Sequence, residues 1–166
     1  MLRTVLYGIL LYSVVGALGC YSFRGGSVPS HLKTIAVPLF DDQSGSAEPN
    51  LREKFTNKLI DRFRQDNSLQ VADKTRSDSV IEGTILSLQD EPYVVVQGES
   101  VTKRKITIAI KATYRDAKLN KQLWDKQLSN WGIYEIGGGP AQRQIGIDAA
   151  IDKLAEDILN VTVSSW

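Results

Sequence analysis

From Lys105 to Arg115 the chain alternates without a slip. Ile106, Ile108, Ile110, Ala112 and Tyr114 occupy one parity, and Lys105, Thr107, Ala109, Lys111, Thr113 and Arg115 the other. Side chains on a strand point to opposite faces at each step, so this pattern describes a strand, within Val101 to Arg115, with one dry face and one wet face. A sheet of that kind needs a second layer over its dry face. Two stretches can supply it. Leu51, Phe55, Leu59 and Phe63 recur at helical spacing between Pro49 and Gln65, and Ile147, Ile151, Leu154, Ile158 and Val161 do so after Ala141. Pro49 suits the first turn of the earlier helix.

The remaining strands are weaker signals. Thr34 to Phe40 reads TIAVPLF, an apolar β-branched run in which Pro38 demands an edge position or a bulge. The polar stretch Asp41 to Glu48 reads as a loop, and a short apolar segment covers Leu69 to Ala72. Val80 to Leu88 changes phase between Ile85 and Leu86, which a bulged strand explains. Ala117 to Lys121 makes a hairpin connection, Gln122 to Ile133 pairs back antiparallel, and Gly137 to Pro140 breaks the chain. The expectation is an α+β two-layer sandwich over residues 33–166. Two amphipathic helices pack on a mostly antiparallel sheet of about four strands.

The amino terminus has a different character. Arg3 is followed by an uncharged stretch, Thr4 to Leu18, of about 15 residues, short of the roughly 20 that span a bilayer. The stretch is laid out as a secretory signal over residues 1–19. Cys20, the only cysteine, follows Gly19 directly and resembles the lipidation site of a bacterial lipoprotein, although Ala17 and Leu18 invert the usual order of aliphatic and small residues. A diacylglycerol on the sulfur and a fatty acyl chain such as palmitate on the new amino terminus would hold the chain on a membrane, because stable anchoring takes at least two chains. Tyr21 stands where an aspartate signals inner-membrane retention in enteric bacteria, which implies the periplasmic face of the outer membrane. Residues 20–32, with Gly25, Gly26, Ser27 and Pro29, suit a short tether.

Little else promises chemistry. With 20 basic and 19 acidic residues the chain lacks the global field that draws a protein onto nucleic acid. One cysteine and one histidine leave no metal cluster or disulfide and imply no cofactor. No nucleophile, base and orienting group can be assembled, so no enzyme is expected. His31 reads as solvated, and the pairs Asp41–Asp42 and Asp90–Glu91 as solvated turns. One charge feature rises above background: Lys103, Arg104, Lys105, Lys111, Arg115, Lys118, Lys121 and Lys126 share a segment with only Asp116 and Asp125. Lys105, Lys111 and Arg115 have the same strand parity. They either meet a polyanion such as phosphorylated lipid or dress a wet strand against aggregation.

Several stretches together carry a family resemblance: CYSFRGGSVPSHLKTIAVPLFDDQSG, EPNLREKFTNKLIDRF, DSVIEGTILSL, RKITIAIKATYRD, LWDKQLSNWGIY and AIDKLAEDILNVTVSSW. In order and spacing they resemble the lipopolysaccharide-assembly lipoprotein family LptE, in its Bacteroidetes and Chlorobi form. The resemblance implies helices against a sheet and a seat inside the large β-barrel LptD. There the lipoprotein acts as plug and assembly aid and binds lipopolysaccharide. Cys20 carries over directly; the basic strand does not follow from the family. The other reading of the residues is a periplasm-facing lipoprotein of a different envelope assembly, a cell-wall synthase activator or a curli-secretion component, whose domains also open with an IAVxxF-like strand.

Overall fold

The computed structural model describes residues 28–93 and 102–164. The expected leader, residues 1–19, and Cys20, Val101 and Trp166 lie outside the described residues. The chain runs β1 (Thr34–Ala36), β2 (Asp41–Asp42), α1 (Leu51–Asp66), β3 (Gln70–Val71), β4 (Ser79–Tyr93), β5 (Lys103–Asp116), β6 (Lys121–Glu135) and α2 (Gly139–Ser164). It is an α+β architecture with both helices against one sheet.

The sheet departs in part from the expected mostly antiparallel arrangement of about four strands. It has six strands in the order β3-β1-β4-β5-β6, with β2 also on β4. The long meander β4-β5-β6 is antiparallel, whereas β1 pairs parallel with β3 and β4, and β2 parallel with β4. The additions are two or three residues long, too short to show a period in sequence. The run Thr34 to Phe40 is strand only as far as Ala36, and pairing resumes at Asp41–Asp42, inside the stretch read as a loop. Pro38 supplies the reason: it has no N–H to donate to a ladder. Phe40 turns inward, its N–H donating to Thr56 Oγ1 at 3.1 Å and its ring meeting Phe55 edge-on at 4.9 Å.

The phase change in β4 is a bulge. The β4–β5 register passes from Ile85 opposite Ile110 to Ser87 opposite Ala109, leaving Leu86 unpaired. Beyond it β4 continues to Tyr93, farther than the apolar pattern reaches. Gly83 leaves room for a neighbour, because a methyl group there would overlap the Phe40 ring and the Lys111 carbonyl.

Ile106, Ile108, Ile110, Ala112 and Tyr114 are all fully buried, as are Phe55, Leu59 and Phe63, with Leu51 nearly so. α1 ends where Asn67, in the left-handed region at φ 59°, donates its N–H to Phe63 O at 3.0 Å. α2 starts earlier than the glycine run suggested, taking in Gly139 and Pro140, whose missing N–H is tolerated in a first turn. Its stripe closes on Thr162 rather than Val161: Thr162 is buried and returns its hydroxyl to Ile158 O at 2.7 Å. One apolar core joins both helices and the sheet, and reaches back to Leu32 and Val28.

Candidate functional site

The helices cover one face of the sheet and leave the other open. On that open face β5 presents Lys103, Lys105, Thr107, Ala109, Lys111, Thr113 and Arg115, the parity opposite to the buried isoleucines. The structure thus brings Lys103, Lys105, Lys111 and Arg115 to a common surface. Arg104 has the other parity and belongs to a separate cluster.

Neighbouring strands answer most of these charges. Lys103 lies 3.2 Å from Glu135, Lys105 3.7 Å from Glu91, and Lys111 3.5 Å from Asp125. Arg115 makes no ion pair with another described residue. These pairs are at least partly exposed, so each is worth at most about 1 kcal/mol and can be exchanged for a better anion. Lys111 and Arg115 line a shallow groove of about 520 Å³ whose rim includes Leu39, Asp41 and Glu82. Leu39 is half exposed.

The outer edge of β6 is sealed at one point. Trp131 donates its N–H to Asn130 Oδ1 at 2.8 Å and accepts at its carbonyl from Lys153 Nζ at 2.9 Å. The same ammonium sits 4.1 Å from the indole centroid, and Tyr93 stacks on that ring at 6.3 Å. Such capping blunts an edge that would otherwise recruit another strand.

Asp90 is not in a solvated turn. It stands inside β4, where its carboxylate accepts from Arg104 Nε at 2.7 Å, Arg143 Nε at 3.1 Å and the Tyr134 hydroxyl at 2.9 Å. Arg143 reaches on to Glu48 at 2.5 Å, and Lys54 lies 3.6 Å from the same carboxylate. Burial works to raise the Asp90 carboxyl, but the hydrogen bonds from Arg104, Tyr134 and Arg143 prevail and hold it below its ordinary value. The cluster ties α1, β4, β5, β6 and α2 together at the end of the sheet away from His31.

The opposite end fastens the incoming chain. His31, read from sequence as solvated, places Nε2 2.6 Å from Oδ2 of buried Asp116. Lys118 Nζ donates to His31 O at 3.0 Å and pairs with Asp78 at 2.7 Å. Asp78 also accepts from the N–H groups of Lys33 at 2.7 Å and Thr34 at 3.1 Å. The Lys118 ammonium and those amides hold its carboxyl far below the usual range, at about 2. Among the described residues no group of three potential ligands is placed to hold a metal ion. No described helix is long and apolar enough to cross a membrane.

A family model for lipopolysaccharide assembly, LptE, matches residues 32–161, which takes in every strand, α1 and all but the last three residues of α2. The chain belongs to the LptE family. Solved structures share this fold at low identity. A Xanthomonas campestris protein superposes with a TM-score of 0.60 at 11% identity, over 82% of this chain and 90% of its own. A hypothetical protein of Chlamydia trachomatis gives 0.59 at 10%, over 77% and 94%. The uncharacterized lipoprotein B of Nitrosomonas europaea gives 0.54 at 12%, over 83% and 85%. No curated protein sequence matches the chain.

Proposed function

We propose that this LptE-family chain is a noncatalytic outer-membrane lipoprotein. Cys20 carries the lipid, residues 1–19 are the cleaved leader, and the folded region faces the periplasm. It pairs there with an LptD-like β-barrel as plug and assembly factor. The family match over residues 32–161 carries the reading. The geometry is in keeping with it: a core joins all the long elements, and the Asp90 cluster ties them together at one end of the sheet.

Lipopolysaccharide is the proposed ligand of the open sheet face, through Lys103, Lys105, Lys111 and Arg115. Arg104 is better placed to hold Asp90 than to meet a ligand. Guanidinium and ammonium groups suit phosphate, and the weak pairs they now make are readily surrendered.

The experiment is affinity purification of the full-length protein from detergent-solubilised outer membranes of its own host. Stoichiometric recovery of an LptD-type barrel is the expected outcome. Recovery of the lipoprotein alone, or with a cell-wall synthase or a curli-type pore, would overturn the pairing.

A further inference from the structure

We propose that the tip of the β5–β6 hairpin, Lys118 to Lys121, is a second membrane contact that rests on the bilayer to which Cys20 is fastened. This rests on the lipidation reading above and adds an orientation to it.

The hairpin tip is stitched to the point where the chain enters the fold. Lys118 Nζ donates to His31 O at 3.0 Å, and His31 meets Asp116, the last residue of β5, at 2.6 Å. Seven residues stand between Cys20 and Val28, so the two are at most about 28 Å apart even if the chain is fully extended. A lipid on Cys20 therefore keeps this end of the sheet near the bilayer surface. The far end of β5 lies about 40 Å away along the strand.

The tip has the composition of an interfacial contact. Leu119, at 65% exposure, is the most exposed of the large hydrophobic side chains among the described residues. Lys118 and Lys121 flank it, both exposed, with Lys33 exposed nearby on the entering chain. The acids at this end are already engaged: Asp116 is buried on His31 and the Leu119 N–H, and Asp78 on Lys118 and two backbone amides. The turn is also preformed. Leu119 N–H donates to Asp116 Oδ1 at 2.9 Å, and Asn120 sits in the left-handed region at φ 50°. A single leucine held out by a rigid turn, with exposed Lys121 and Lys33 at the same end while Lys118 holds Asp78, matches a surface of acyl chains under anionic headgroups. Protein interaction sites are marked by larger contiguous apolar patches than one leucine.

Lipidation blocks the only native thiol, so a cysteine introduced elsewhere is uniquely labelled. The test uses the lipidated protein carrying Leu119→Cys, labelled with an environment-sensitive dye and reconstituted into phosphatidylethanolamine–phosphatidylglycerol vesicles that contain acyl-nitroxide lipid. Ile145→Cys, 54% exposed and near the opposite end of the sheet, serves as the companion site. The expected result is blue-shifted, nitroxide-quenched emission at 119 and water-like, unquenched emission at 145. Unquenched emission at 119, with mass spectrometry showing lipid on Cys20, would overturn the contact and leave the anchor standing. Dye found on Cys20 itself would overturn the anchor, and this inference with it.

Discussion

Gly132 of β6 and Gly146 of α2 meet backbone to backbone: a methyl group on Gly132 would collide with the Gly146 carbonyl oxygen and come within 2.9 Å of Ala149 Cβ. This contact lets the long second helix lie close against the edge of the sheet. Gly132→Ala is expected to cost about 1–3 kcal/mol in urea denaturation, since backbone cannot move aside as a side chain can. Gly146→Ala should cost less. Its methyl would meet Tyr134 Cδ1 at 2.9 Å and Ile106 Cγ1 at 3.3 Å, which are side-chain atoms, and the helix gains about 1 kcal/mol of propensity. Equal losses would argue against this packing.

Asp78 sets a pH dependence. Its carboxyl lies at about 2 in the folded protein against 3.8 ordinarily, so the folded state binds the proton more weakly than the unfolded chain. The resulting stabilisation is complete above the ordinary value and is lost as pH falls toward 2. Asp78→Asn should lower stability by about 2 kcal/mol at pH 7. The difference from wild type should shrink as titration proceeds from about pH 4 downward. A constant difference across that range would remove Asp78 from the account.

The Asp90 cluster yields a coupling. Asp90→Ala strands the guanidinium groups of Arg104 and Arg143 and is expected to cost about 1–3 kcal/mol. Tyr134→Phe removes a hydroxyl that donates to the same carboxylate, so the double variant should lose less than the sum of the single losses. Strict additivity by chemical denaturation would show the two groups to be independent.

On the open face, Lys105, Lys111 and Arg115 changed together to Glu should weaken binding to immobilised lipopolysaccharide, with a loss that diminishes at high salt. Arg104→Glu, placed beside Asp90, should instead lower the melting temperature. Unchanged binding by the triple variant would exclude the open face as the lipopolysaccharide surface.

Legibility in the sequence follows the range of the interactions. The Ile106–Tyr114 alternation, the Leu51–Phe63 stripe and the Leu86 bulge are local periodicities, and all three appear in the structure. Strands β2 and β3 carry no period because two residues cannot. Asp90 looks like a loop acid because its partners stand 14, 44 and 53 positions away, on other elements. The same holds for His31, whose carboxylate is 85 positions distant. The basic strand showed its charges, but Glu91, Asp125 and Glu135 come from neighbouring strands, whose register depends on a bulge and two turns.

Intact mass spectrometry of the protein extracted from its native membranes reads the lipid anchor itself. The expected product is a chain that begins at Cys20 and carries a diacylglycerol on sulfur and an acyl chain on nitrogen. A chain that keeps its first nineteen residues, or one with an unmodified Cys20 thiol, would contradict it.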